Sequence, residues 1–251
     1  MQPKRHMYSR AADVLLLVSI LIMCLLIPMD ASADEGGPKT SVDNRPIRSS
    51  PALTLTVGQA EGDLRGTDDK IIQAGIDYLN RLGGGKLRIL PGVYILQNAL
   101  YLRSNVTLCG SGKDTVLKKG PSVVTKLLQD SDWFEYGVRV KDTRGFEPGR
   151  GIMLRSSTGP GAWQYDVVQA TITAVQRNAV FVDRLIRKNF WIDKDATAAT
   201  IFPLVTGENA DDVRVEDLVL EGNRDENEHI NGNFAGAVFI QECKRWSFKN
   251  V

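Results

Sequence analysis

The densest run of groups able to do chemistry is Glu221-Gly-Asn-Arg-Asp-Glu-Asn-Glu-His-Ile-Asn-Gly-Asn233. It holds Arg224, Asp225, Glu226, Glu228 and His229, the only histidine beyond Ala33. Carboxylate oxygens are the ligands a Ca²⁺ ion takes, which makes Asp225, Glu226 and Glu228 the candidate metal ligands. The same residues, with Arg224 and His229, are the candidate proton donors and acceptors. Against this, Asn-Gly pairs and charges also make an ordinary solvated loop, where Asn and Gly serve turn geometry. The spacing of an EF-hand is absent, and one histidine without partners specifies no Ser/His/Asp or Cys/His set. Trp133, Trp163 and Trp191 are the candidate sugar-stacking residues, with partly buried packing as the alternative.

Other motifs carry less. Gly83-Gly84-Gly85 follows a helix, whereas a phosphate-cradling loop precedes one. Asn105-Val-Thr107 is a glycosylation sequon in an expected strand. Cys109 and Cys243 both fall in expected strands and read as buried small apolar side chains, since two cysteines make no disulfide framework.

The element around which these residues are arranged runs from Thr67 to Tyr94. Thr67 suits an N-cap, with Asp68 and Asp69 at the positive end of the helix dipole. Ile72, Gly75, Ile76, Leu79 and Leu82 recur at three- and four-residue steps, which predicts an amphipathic helix. Gly83 fits the left-handed position after its end. Short strands follow, with apolar pairs two apart: Leu87/Ile89, Val93/Ile95, Leu100/Leu102, Val106/Leu108 and then Val116-Leu117. The stretch 123–210 has a different rhythm, with longer strands expected around Val138–Val140, Gly151–Leu154, Val167–Thr173 and Ala179–Val182, and reads as an inserted antiparallel β subdomain.

Three phrases then repeat: Asn105-Val-Thr-Leu-Cys-Gly, Asp212-Val-Arg-Val-Glu-Asp-Leu-Val-Leu-Glu-Gly and Arg245-Trp-Ser-Phe-Lys-Asn-Val251. From Val213 to Trp246 the phrases step by more than a coil; without the polar loop 224–234 the step is about 22 residues, the length of a solenoid coil. The repeat favours a parallel β-helix over a sandwich.

Composition sets outer bounds. The chain has 251 residues, 43% hydrophobic and 24% charged, with net charge +1. The segment ahead of Asp34 carries Lys4, Arg5 and Arg10, an apolar run Val14–Ile27, and Ala31-Ser32-Ala33. That is the pattern of a secretory signal cleaved after Ala33. Without its three cations and its two anions, Asp13 and Asp30, 28 basic and 28 acidic side chains remain of 31 and 30. Such a balance gives no electrostatic reason to expect nucleic acid or, after signal cleavage, a membrane surface as partner. Residues 34–52 read as a linker. The expected organisation is therefore 1–33 signal, 34–52 linker, 53–122 capping helix and first coils, 123–210 inserted subdomain, and 211–251 further coils.

Gly58…Gly62-Asp63…Thr67-Asp68-Asp69…Ile72-Gln73-Ala74-Gly75-Ile76-Asp77, followed by Gly83 through Tyr94, resembles the N-terminal opening of the pectate-lyase-like superfamily. Leu100 through Gly112 is similar to its first full coil. The likeness covers about 57–120 and, less closely, 205–251. It implies an all-β fold, a right-handed parallel β-helix whose N-terminal α-helix caps the solenoid. It also implies an exported (secreted or periplasmic) carbohydrate-active protein that cleaves or binds a polysaccharide as a lyase or glycoside hydrolase. In a lyase of that kind Ca²⁺ would neutralise a uronate, Arg224 would be the base or clamp, and Asp225 or Glu228 a ligand or acid. The same opening serves lyases, hydrolases, phage tailspikes and epimerases, so it transfers no catalytic residue. The sequence stops within an expected strand, short of the coils that carry active sites in that family. Two further expectations follow: a homo-oligomer through an open last coil, and, as the alternative function, a non-enzymatic surface solenoid or an inactive truncated remnant.

Overall fold

The computed structural model describes residues 53–159, 164–229 and 234–251. The expected signal and linker, and Trp163, lie outside them. No helix among the described residues is long and apolar enough to cross a membrane.

The first elements are β1 (Thr54–Gly58), β2 (Leu64–Arg65) and helix α1 (Asp69–Arg81). Short strands follow: β3 (Gly85–Ile89), β4 (Gly92–Leu96), β5 (Leu100–Tyr101), β6 (Val106–Cys109) and β7 (Thr115–Lys119). A different segment then intervenes, with β8 (Val124–Lys126), β9 (Gly137–Arg139), β10 (Gly151–Ser157), β11 (Tyr165–Gln176), β12 (Ala179–Val182) and β13 (Thr197–Ala199). The short rhythm resumes with β14 (Val205–Glu208), β15 (Arg214–Glu216), β16 (Val219–Glu221), β17 (Val238–Gln241) and β18 (Ser247–Lys249).

The short strands form three parallel sheets: β18-β15-β6-β3-β1-β2, β16-β7-β4 and β17-β14-β5. From β3 onward the chain visits the first, second and third sheet in that cyclic order. Lys86 lies opposite Thr107 and Val93 opposite Val116, so each strand pairs with the one laid down a single coil later. Where the loop after β16 is added the step lengthens: Arg214 faces Ser247 and Val205 faces Val238. The excursion β8–β13 leaves between β7 and β14 and forms its own antiparallel sheet, ordered β8-β13-β10-β11-β12-β9.

The three repeated phrases of the sequence thus land on β6, β15 and β18, side by side in one sheet. Each phrase opens on a residue in the left-handed region, Asn105 (φ 62°), Asp212 (φ 60°) and Arg245 (φ 56°). Asp217 and Asn250 repeat the feature at the far end of their strands, and the Asn250 amide donates to Asp217 Oδ1 at 2.8 Å. Asn and Asp tolerate this conformation best, which is why short polar turns can bend the chain from sheet to sheet.

One apolar cluster fills the parallel stack. It includes Ile72, Ile76 and Leu79 of α1, Leu87, Leu108 and Val215 of the first sheet, and Leu100 and Val205 of the third. The apolar stripe of α1 packs on strands of all three sheets at the β1–β3 end. Gly75 permits this: a Cβ there would stand 2.7 Å from Leu87 Cδ1. A second cluster, with Val140, Leu154, Ile172, Val180, Ile186 and Phe190, belongs to the antiparallel sheet.

Three local expectations are corrected. The helix N-cap is Asp68, not Thr67; its carboxylate accepts from Lys70 N at 3.2 Å. On β4 the inward set is Tyr94 and Leu96, while Val93 and Ile95 are exposed. Tyr94 can turn inward because its hydroxyl donates to Leu90 O at 3.0 Å, leaving no unpaired polar atom in the core. Cys243 sits in the turn between β17 and β18, and both it and Cys109 are half-buried free thiols.

Candidate functional site

A cleft of about 680 Å³ lies on the outer face of the third parallel sheet. Three walls build it. The first is α1, where Asp69, Gln73 and Asp77 recur at four-residue steps and so share one face, beside the apolar stripe. The floor is an outward row of the sheet, Tyr101–Thr206–Phe239 in register, followed by Glu208 opposite Gln241. Tyr101 and Arg103 face outward because they alternate with buried Leu100 and Leu102. The third wall comes from the antiparallel sheet, with Gln169 and Thr171 of β11 and with Asp183 and Arg184 just after β12.

The walls are tied together by side chains. The Gln73 amide accepts from Tyr101 N (2.8 Å) and donates to Tyr101 O (3.1 Å), pairing the short β5 as a neighbouring strand would. Asp77 Oδ1 accepts from Gln73 Nε2 (3.1 Å) and Arg103 Nε (3.0 Å). Asn98 Nδ2 donates to Thr171 Oγ1 (3.0 Å) and Thr171 N to Asp183 Oδ1 (2.8 Å); Arg184 lies 3.6 Å from the same oxygen. Asp69, 4% exposed, accepts from Gln97 N at 2.7 Å. Burial raises its carboxyl pKa above the usual carboxylate range, opposed by that hydrogen bond. Burial likewise raises the Tyr101 phenol.

The arrangement offers guanidinium forks at Arg103 and Arg184, carboxylates at Asp183 and Glu208, amides at Gln169 and Gln241, and aromatic rings at Tyr101 and Phe239. Ringed neutral ligands rich in hydroxyls suit such a set: rings pack on the aromatic faces while paired oxygens meet the forks.

The loop singled out in the sequence lies elsewhere. Arg224–Glu226 is a short 3₁₀ turn fastened to the segment after β7. Asn223 Nδ2 donates to Lys119 O (3.0 Å), Asn227 Nδ2 to Gly120 O (3.2 Å), Ser122 N to Glu226 O (3.0 Å) and Glu228 N to Ser122 Oγ (2.8 Å). His229 Nε2 is 3.1 Å from Arg224 O, and Glu228 is 3.6 Å from Arg155. None of these loop residues lines the cleft. Asp225, Glu226 and Glu228 do not bring their oxygens together; among the described residues, only Cys109, Glu216 and Asp217 place three metal-ligand atoms within 4.8 Å of one another. Trp133, 46% exposed, stands 6.1 Å from Phe134, and Trp191 is 39% exposed. Both belong to the antiparallel segment and neither lines the cleft. A shallower hollow of about 330 Å³, between Asp130, Tyr136, Arg139 and Phe181, occurs in that segment.

No family model matches the chain, and no curated protein does. Solved structures similar to it include the tailspike gp61 of Pseudomonas phage phi297, at 10% identity over 69% of this chain and 31% of that one, TM-score 0.32. Another is the Gp54 tailspike of Acinetobacter baumannii bacteriophage AP22 in complex with A. baumannii capsular saccharide, at 10% identity over 70% and 33%, TM-score 0.29. A third, described as a glycoside hydrolase, has 10% identity over 67% and 50%, TM-score 0.29. The chain spans about a third of the length of the tailspikes it matches. At such scores the fold rests on the strand register described above.

Proposed function

We propose that the chain is a right-handed parallel β-helix of the pectate-lyase-like class, exported by a signal cleaved after Ala33, that binds a polysaccharide in the cleft of the third sheet. Cyclic passage through three parallel sheets supports the solenoid, and β-crossover-β connections are right-handed in nearly all proteins. One observation carries the ligand class: the cleft combines the aromatic rings of Tyr101 and Phe239 with the outward guanidinium and carboxylate groups of Arg184, Asp183 and Glu208. Binding is the activity this set supports best, because Asp77 and Asp183 already engage Arg103 and Arg184, as hydroxyl-binding groups do.

The test titrates the purified protein against a panel of neutral and uronic glycans by calorimetry, with reducing-end and unsaturated-product assays on the same mixtures. A charge-assisted hydrogen bond is worth about 1.5–3 kcal/mol, so Arg184→Ala should weaken the best ligand about 10- to 100-fold. Tyr101→Ala should weaken it as well. No glycan binding, or affinity indifferent to both changes, refutes the assignment; new reducing ends or unsaturated product would show cleavage in addition.

A further inference from the structure

The hollow of about 330 Å³ in the antiparallel sheet offers a chemistry unlike that of the cleft. It lies on the outer face where β9 and β12 pair. Val138, Val180 and Val182 are buried, so Gly137, Arg139, Ala179 and Phe181 point outward. Gly137 stands opposite Phe181, and Arg139 opposite Ala179. The two small residues therefore lie on one diagonal and make the floor. Arg139 and Phe181 lie on the other, with about 7–8 Å between their backbones, and rise as two walls. The floor depends on Gly137, since a Cβ there would stand 3.0 Å from Phe181 Cδ1 and 2.8 Å from Val180 O. Tyr136, 56% exposed, and the carboxylates of Asp130 and Glu135 complete the rim.

Each charged group of the rim is held by a neutral partner. Asp130 Oδ1 accepts from Ile192 N at 2.8 Å, and Glu135 Oε2 accepts from Ser131 Oγ at 2.7 Å. Arg139 Nη1 donates to Asn178 Oδ1 at 2.9 Å. These bonds orient the three side chains through one oxygen of each carboxylate and one nitrogen of the guanidinium. No ion pair within 4.0 Å among the described residues uses any of the three. The hollow thus presents two oriented anions and one oriented cation beside two aromatic rings, and none of these charges is neutralised by a neighbour.

The complement of that set is two ammonium groups and one carboxylate on an aliphatic stem. A neutral sugar would leave all three charges unanswered, and a polyanion would meet the two carboxylates. We infer that the hollow binds a free basic α-amino acid of the lysine or ornithine type, whose charges match those of the rim one for one. Its carboxylate goes to Arg139, its ammonium groups to Asp130 and Glu135, and its methylene stem lies against Tyr136 and Phe181. Ammonium groups are attracted to the faces of such rings as well. The volume stands at the lower end for small-molecule sites, as a ligand of one amino acid requires. The site is built from the antiparallel segment alone and is independent of what the cleft binds.

Four probes titrated into the full protein at low salt, followed by backbone amide chemical shifts, test this. They are L-lysine, norleucine (no side-chain ammonium), cadaverine (no carboxylate) and Nα-acetyl-lysine (no α-ammonium). The rim groups are exposed, so each missing charge should weaken binding by up to about 5-fold relative to lysine. The shifts should centre on Gly137, Arg139, Ala179 and Phe181. Arg139→Gln should erase the preference for lysine over cadaverine. Asp130→Asn with Glu135→Gln should erase the preference over norleucine and Nα-acetyl-lysine, and both amides can still accept from Ile192 N and Ser131 Oγ. Circular dichroism checks the fold of each variant, and the four probes decide on the parent protein alone should a variant misfold. The inference is overturned if lysine shifts none of these amides, if the shifts centre on Tyr101 and Thr206 in the cleft, or if norleucine and cadaverine bind as tightly as lysine. It is overturned equally if the preferences survive in both folded variants. Nα-acetyl-lysine binding as tightly as lysine would also overturn it, and would assign the hollow to the C-terminal lysine of a peptide.

Discussion

Lys119 should be a net cost to the fold at neutral pH, and replacing it should stabilise the protein. It ends β7, points to the same side as buried Thr115 and Leu117, and is 4% exposed. Its ammonium donates to Ala235 O at 3.0 Å and lies 5.5 Å from the centre of the Phe202 ring; no carboxylate pairs with it among the described residues. Burial lowers its pKa from 10.5 to about 8. That interval corresponds to about 3 kcal/mol at about 1.36 kcal/mol per pH unit, and residual solvent access reduces it to about 2–3 kcal/mol. Lys119→Met keeps the stem and removes the charge. It also leaves Ala235 O without its donor, at about 1 kcal/mol. The net expectation is stabilisation by about 1–2 kcal/mol at pH 7, or about 3–6 °C in Tm for a domain of this size.

The sign of the pH dependence follows from the same shift. The folded value lies below the unfolded one, so between about pH 8 and 10.5 the unfolded chain holds the extra proton. Stability of the parent protein therefore rises with pH through that window, and the advantage of the Met variant shrinks. The phenols of Tyr94 and Tyr101, raised by burial, act oppositely above about pH 10, which is why the difference between the two proteins is the quantity to follow. Urea denaturation of both at pH 7 and pH 9.5 decides it. A Met variant less stable at pH 7, or a difference that stays constant between the two pH values, would show that other contacts compensate the buried ammonium.

Three further outcomes test the framework. Ile76→Asp puts an unpaired carboxylate at a position 0% exposed under the helix cap; a loss above about 4 kcal/mol is expected. Circular dichroism should show an unfolded chain, and a native spectrum would remove α1 from its capping role. Asp68→Ala removes only the N-cap acceptor and should cost about 1 kcal/mol by urea titration. Asn223→Ala deletes bonds to Lys119 O and Glu226 Oε2 and places Ala at φ 48°; about 1–3 kcal/mol and earlier proteolysis within 224–235 are expected, and an unchanged cleavage rate would mean the tether lies elsewhere.

The repeat of adjacent parallel strands was legible because it is written in local chemistry. A polar residue able to take the left-handed conformation, then alternating apolar residues, recurs at Asn105, Asp212 and Arg245, and those phrases became adjacent strands. The longer step from β15 to β18, a loop inserted in an ordinary coil, followed from the same pattern and is the register observed. The helix stripe was legible at Ile72, Ile76 and Leu79, whereas Leu82, read into the same stripe, is the exposed C-cap residue. Alternation alone misled at β4, where both Val93/Ile95 and Tyr94/Leu96 offer an apolar pair. There the inward pair includes Tyr94, whose hydroxyl is satisfied by Leu90 O four residues earlier, a local hydrogen bond that apolar alternation does not register.

The site was illegible for a reason particular to parallel sheets visited in turn. A window of sequence reads from one sheet to the next, whereas a face is made of residues taken one from each strand of a sheet. Tyr101, Thr206 and Phe239 form the cleft floor from positions far apart in the chain, and Asp183 arrives from the excursion between the first two. Glu221 to His229 looked like a site because its charges are close in sequence, yet its amides and backbone groups are spent holding the loop to residues 119–122. The signals that would have found the cleft were present but scattered: Asp69, Gln73 and Asp77 at four-residue steps on α1, and Tyr101 and Arg103 on the outward phase of a strand whose inward phase was already assigned. Once the coil length is known, every outward position acquires defined neighbours one coil away. The same reading down columns joins Lys86 to Arg214, residues that no motif would pair.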